Sequence, residues 1–370
     1  MKAAARLLLL LALLPLLAGC LDTHPLNERS IVLGLGVSPG PGKDLTYTLV
    51  LPTAVSPSPA SGGPGITPSE TLKSFTTQAL TLSKAIDNVQ DDLSRYLDLG
   101  QLTLIVLSDR LTPTQTKNVL EDLNNMNGLA QSSLLATASS VRQVITFANT
   151  LEIPPVYYPA RMLTCVNCQE ADYHVPFWKF YVRLHTPGAS VWLPILEIQK
   201  GNLSISGIAL YRDNRLAGEL SEEQSGPALE GFAYGNGLVM RGTLLVPSGG
   251  HFLSLVNIAA TRRISFLSAA GGVPAFLLRV RATAMVDTTS PFDPKISRLA
   301  DAAIRRKVEA TLTTSRRLGV DPFSLGEYLA WANPELFRRL GDWNTVYRRA
   351  KVRVQVDLNY FSPPGLRLGG

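Results

Sequence analysis

The sequence predicts an α+β fold with more than one domain, in which mixed or antiparallel sheets are packed by helices. Three observations carry this expectation. Short apolar runs rich in β-branched residues recur between Gly- and Pro-rich connections. In the first half, strand-like and helix-like segments alternate, the order of a mixed α/β layer. In the last third, a long basic helical pattern is followed by shorter ones and a closing Val-rich strand.

Residues 31–37 (IVLGLGV) and 45–51 (LTYTLVL) read as two strands joined by SPGPGKD, a hairpin. Residues 56–68 (SPSPASGGPGITP) hold no core-forming side chain except Ile66 and read as a solvated loop. Leu72, Phe75, Ala79, Leu82, Ile86 and Val89 recur at spacings of three and four, which predicts one helix from Leu72 onward. The unbroken apolar run at 102–107 (LTLIVL) predicts a strand covered on both faces. Thr112-Pro113-Thr114-Gln115 is a capping box with proline at the first helical position. The helix it opens runs through Leu120 and Leu123 to the stop at Asn127-Gly128.

In residues 178–184 (WKFYVRL) apolar and polar side chains alternate, the pattern of a half-buried strand. Further strands are expected at 203–211, 238–246 and 276–286. In the last of these Phe276, Leu278, Val280, Ala282, Ala284 and Val286 share a face. Asp293-Pro294 opens a long helix to Gly319, with Ile296, Leu299, Ala303, Val308 and Leu312 on its buried side. Asp321-Pro322 and Asn333-Pro334 open two more helices. Residues 351–360 close the chain as a strand, with Val352, Val354, Val356, Leu358 and Tyr360 on one side. There is no internal repeat.

The N-terminus has its own logic. Lys2 and Arg6 precede an apolar stretch at 7–17 that is too short for a bilayer, which needs about 20 residues. It ends at Leu17-Ala18-Gly19-Cys20, a lipobox whose Cys20 thiol takes up diacylglycerol and becomes the first residue after cleavage. An ordinary signal peptide containing a chance cysteine is the alternative, but the basic start, apolar stretch and box agree. Residues 1–19 are therefore read as a cleaved lipoprotein signal. Their loss leaves 33 Lys and Arg against 29 Asp and Glu, a modest +4 that excludes a nucleic-acid-binding balance overall. With 45% hydrophobic and 17% charged residues, the chain can bury real cores and is not disordered. The expected division is an N-terminal α/β domain at 20–197 and a C-terminal α+β domain at 198–370, with a further subdivision near 272 left open.

Several stretches in this order resemble the Ger(x)C family, the C subunits of the nutrient germinant receptors of spore-forming bacteria. GCLDTHPLNERSIVLGLGV resembles the family's opening, and LDLGQLTLIVLSDRL its strand after the first helix. GIALYRDNRLAGELSEEQSG resembles its strand, basic turn and Leu-x-Glu-Glu pattern. Most specific is DPFSLGEYLAWANPELFRRLGDWNTVYRRAKVRVQVDLNY, with Asp321, Phe323, Gly326, Glu327, Tyr328, Pro334 and Trp343 in the places of the family's closing block. The match covers nearly the whole mature chain. Two features depart from it: the length of the 56–68 segment and the pair Cys165-x-x-Cys168.

A search for catalytic chemistry returns nothing coherent. Gly36-Val37-Ser38-Pro39-Gly40 has the letters of a Gly-x-Ser-x-Gly elbow but falls in the turn of the 31–51 hairpin and not between a strand and a helix, and no Ser-x-x-Lys pair occurs. GLGVSPGPGK at 34–43 fails as a phosphate loop, because Val37 stands where the first glycine belongs and Asp44 replaces the Mg²⁺-holding hydroxyl. His24, His174, His185 and His251 include no pair at helical metal spacing. Cys165 and Cys168 read first as a disulfide, next as free or redox-active thiols, and only with His174 and His185 as a zinc site. Glu222-Glu223 read as solvated loop charges. From residue 290 onward 14 Lys and Arg face 8 Asp and Glu, a local +6, which suits anionic headgroups, an acidic partner or plain solvent.

The expectation is a non-enzymatic lipoprotein, lipidated at Cys20, with no catalytic residue, metal or cofactor. The resemblance implies a binding or assembly subunit of a germinant receptor required for nutrient-triggered germination. It also implies a membrane anchor through diacylglycerol, two integral membrane partners (a multi-pass A subunit and a transporter-like B subunit) and no nucleic acid. The place implied is the outer surface of the cell membrane, in spores the inner spore membrane. The alternative is a lipid-anchored solute-binding protein of a nutrient importer.

Overall fold

The computed structural model describes residues 25–53, 72–147, 155–165, 173–221, 239–240, 244–248, 251–286 and 294–361. The expected loop at 56–68 lies outside these, as do Cys20, Cys168 and Glu222-Glu223.

The first half is built on an eight-stranded mixed sheet. In chain order its elements are β1 (Arg29–Ile31), β2 (Gly34–Pro39), β3 (Leu45–Pro52), β4 (Leu72–Ala79), α1 (Leu82–Gln90), β5 (Tyr96–Asp98), β6 (Leu104–Ser108), α2 (Pro113–Asn125) and β7 (Leu134–Ala138). There follow α3 (Val141–Ile145), α4 (Tyr157–Thr164), α5 (Phe177–Leu184), β8 (Val191–Gln199), β9 (Asn202–Arg212) and β10 (Arg215–Ser221). The strand order is β10-β9-β8-β7-β6-β2-β3-β4, with β1 and β5 forming a separate parallel pair. β2, β6, β7 and β8 run parallel at the centre, and antiparallel hairpins extend both edges. Central position explains composition: β6 and β7 are buried along their whole length.

The second half is a five-stranded sheet of β11 (Val239–Met240), β12 (Leu244–Ser248), β13 (His251–Ser268), β14 (Ala275–Val286) and β15 (Lys351–Phe361). Between β14 and its parallel neighbour β15 lie α6 (Pro294–Leu318), α7 (Leu325–Ala332), α8 (Pro334–Leu340) and α9 (Trp343–Arg349). The alternation expected in β14 and β15 is realised. One face packs into a second hydrophobic core with Ile296, Val308 and Leu312 of α6, and the other faces outward.

The α+β class therefore holds, and several local readings hold with it. The 34–43 stretch is the expected hairpin, and Thr112 caps α2 with both hydrogen bonds of the box in place. Two element types are corrected. Residues 72–79 form strand β4, not the start of a helix, because they pair in full register along the edge of β3; the helix begins after Thr81, which caps it. Residues 177–184 form helix α5, not a strand. The buried pair Phe177 and Phe180, three apart, and the exposed pair Trp178 and Val182, four apart, follow a helical period, whereas a strand would have put Trp178, Phe180 and Val182 on one face. The helix expected at Asp321-Pro322 begins four residues later, at Leu325. Of the expected 238–246 strand, the described residues 239–240 and 244–246 are in strands β11 and β12. The first sheet continues through Ser221, past residue 198, and residues 270–272 form the turn between β13 and β14 of one sheet.

Candidate functional site

Between α6 and α7 the chain passes from one hydrophobic core to the other. Val320 is buried in the first core and Phe323 in the second. Asp321, between them, is 0% exposed. An isolated carboxylate there would be costly, and this one is held by converging donors. Its Oδ2 accepts from the Gly326 amide at 2.8 Å and from Trp343 Nε1 at 3.1 Å, while Oδ1 accepts from the Phe323 amide at 3.1 Å. Burial still pushes its pKa up to about 6, with those hydrogen bonds and the nearby Arg262 charge opposing the rise.

The first half meets this segment through α5 and the turn after it. The Asp321 amide donates to Ser190 Oγ at 3.0 Å. Arg183, near the end of α5, donates to Ser324 Oγ at 3.0 Å and pairs with Glu327 Oε2 at 3.0 Å. The Arg183–Glu327 pair is largely shielded, with side chains 14% and 26% exposed, so water screens it less than a surface pair. Arg262 of β13 donates to the Phe323 carbonyl, and burial pulls its guanidinium down to about 10. Gly188 and Gly326 touch backbone to backbone: a Cβ on Gly188 would lie 2.4 Å from the Gly326 carbonyl carbon. Higher up, Arg212 of β9 and Arg348 of α9 both donate to the Leu318 carbonyl at the end of α6.

The expected roles in this block are placed as follows. Phe323 is fully buried and Trp343 packs edge-on against Phe276 with centroids 6.2 Å apart, so both pin the segment. Tyr328 is half-buried against the second core. Asp321 does accept first-turn amides, but its partners extend to Trp343, 22 residues on. Glu327 closes the contact to the other half through Arg183. Arg183, Ser190 and Gly188 went unnoticed, since each lies about 130 residues away or more and only the fold brings them together.

The arrangement joins the two halves. Asp321, Ser190, Arg183, Ser324, Glu327 and Arg262 each have a hydrogen-bond or ion-pair partner there. Elsewhere, Cys165 ends α4 and is disulfide-bonded. His185 caps α5 on the surface and His174 is also exposed. Among the described residues no group of three His, Cys, Asp or Glu could hold a metal.

Residues 22–198 match a family model described as a spore germination protein N-terminal domain, and 206–360 one described as spore germination B3/GerAC like, C-terminal. The crystal structure of the GerBC protein superposes over 92% of this chain and 99% of its own with a TM-score of 0.56, at 16% identity, a likeness of fold. No curated protein matches the sequence. With one model covering each half and the junction inside the second, the chain belongs to the GerAC family of spore germination proteins.

Proposed function

We propose that this protein is a membrane-tethered subunit of a nutrient germinant receptor, acting by binding and assembly and not by catalysis. Membership of the spore germination family carries the reading. The junction supports it: its charged groups are held by partners within the chain, which suits a rigid body that presents surfaces. The tether is diacylglycerol on Cys20, and no described helix is long and apolar enough to cross a membrane. Confinement to a membrane plane raises effective concentration against membrane partners, so no single contact has to be strong. Those partners are the integral A and B subunits, with no metal, cofactor or nucleic acid required. The working place is the outer face of the cell membrane, in spores the inner spore membrane.

Cys20→Ala tests the tether. The variant should remain an unlipidated precursor by palmitate labelling, and its spores should lose the response to nutrients while answering non-nutrient triggers. Wild-type labelling of the variant would remove the anchor. Micromolar binding of an amino acid or sugar, read by calorimetry on the mature chain, would move the reading toward a solute-binding protein.

A further inference from the structure

The outward face of the second sheet has a composition that its inward face does not explain. Cross-strand register places Arg263 opposite Arg279, and Arg279 opposite Gln355. The next row sets Thr261, Arg281 and Asp357 side by side, and the row on the other side ends in Arg353. Like charges directly opposite in a sheet destabilise it. Here Asp357 is the sole carboxylate within these rows, and among the described residues neither Arg263, Arg281 nor Arg353 has an ion-pair partner. Arg262, between Thr261 and Arg263, turns inward to Phe323, so its outward neighbours are not needed for that contact. Thr261, Arg262, Arg263, Arg279 and Arg281 line a hollow of about 220 Å³.

Farther along the same face the chemistry changes. Phe361 pairs with Met285, four residues beyond Arg281 or about 13 Å along the strand. Beside them the β12–β13 hairpin presents Leu245 and Phe252 outward. Phe252, Leu245 and Phe361 are 71%, 55% and 54% exposed. A face that is cationic over one stretch and apolar over the next matches the edge of an anionic bilayer, where phosphates lie above the acyl boundary.

We infer that this sheet face docks on an anionic lipid surface, with Arg263, Arg279 and Arg281 on headgroup phosphates and Phe252, Leu245 and Phe361 at the acyl boundary. The proposed tether at Cys20 would bring the face to the membrane, but the docking chemistry belongs to the face itself. The test therefore uses the mature chain with Cys20→Ser, which carries no acyl group, so its outcome is separate from that of the lipidation experiment.

In flotation assays this chain should bind phosphatidylglycerol-containing vesicles and not pure phosphatidylcholine, and binding should fall with salt. Arg263→Gln, Arg279→Gln and Arg281→Gln together should lower partitioning more than tenfold at an unchanged melting temperature. Phe252→Ser should lower it severalfold. Removing the same charge from α6, with Arg305→Gln, Arg306→Gln and Lys307→Gln, should have a much smaller effect. Absence of binding to anionic vesicles, equal binding to neutral ones, or equal losses from the two triple variants would overturn the assignment, the last by reducing it to net charge.

Discussion

Replacing the Asp321 carboxylate by an amide of the same shape isolates the electrostatics of the junction. The carboxylate accepts three hydrogen bonds, two at Oδ2 and one at Oδ1. In Asp321→Asn the remaining carbonyl oxygen serves the Gly326 and Trp343 donors, and the new NH₂ then faces the Phe323 amide. Each buried donor left without an acceptor costs about 1–3 kcal/mol. Against this stands the burial penalty on the charge, expressed in a pKa raised from 3.8 to about 6. Between those two values the folded protein holds a proton that the unfolded chain has released. The contribution of Asp321 is thus full below the unfolded value and is lost as pH rises through about 6. Asparagine removes that dependence. The destabilisation caused by Asp321→Asn should therefore be larger by about 2 kcal/mol near pH 4.5 than near pH 7.5. Urea unfolding of both proteins at each pH measures this difference, since every other titrating group is common to the pair. A pH-independent difference would refute the raised carboxyl, and no difference at any pH would refute the carboxylate as the junction's anchor.

Two further changes probe the same region by other means. Phe323→Ala opens a cavity in the second core and should cost about 3–5 kcal/mol, depleting the protein from spores and abolishing the nutrient response while non-nutrient germination survives; immunoblotting and germination assays read both, and normal levels with normal germination would contradict the packing. Gly188→Ala drives a Cβ into the Gly326 backbone at a positive φ of 73° and should lower the melting temperature by about 5–10 °C, whereas an unchanged temperature would mean the two turns do not bear on each other.

What could be read from the sequence follows the range of the interactions involved. β6, β14, β15, α2 and α6 were legible because their burial pattern or caps lie within a few consecutive residues. β4 was not, since Leu72, Phe75 and Ala79 fit a helical stripe as well as an edge strand, and pairing with β3 decides between them. α5 was misread for the mirror reason: apolar residues at 178, 180, 182 and 184 alternate as in a strand, while the burial of Phe177 with Phe180 follows the helical period. β7, β8, β10 and β13 were not among the expected strands; pairing with their neighbours makes them so. The site divides the same way. Asp321, Phe323 and Trp343 announced themselves by type and spacing, while Arg183 and Gly188 acquire meaning only through contact with Glu327 and Gly326.

That contrast explains why the closing block is specific as a whole though each of its residues is common. The path from Val320 in one core to Phe323 in the other is three residues, a span of about 10 Å. Over so short a crossing every position has a separate duty. Asp321 must donate its amide to Ser190 in the first half and accept from Gly326 and Trp343 in the second, Phe323 must enter the second core, and Gly326 must be without a side chain where Gly188 and Trp343 close on it. Glu327 must then turn back to Arg183 in the first half. Shifting any one of them by a single position would send its side chain into the wrong core or leave a buried donor unmatched. The spacing Asp-x-Phe-x-x-Gly-Glu is accordingly the geometry of a junction written along the chain, and it ties the two halves with no linker between them at this point.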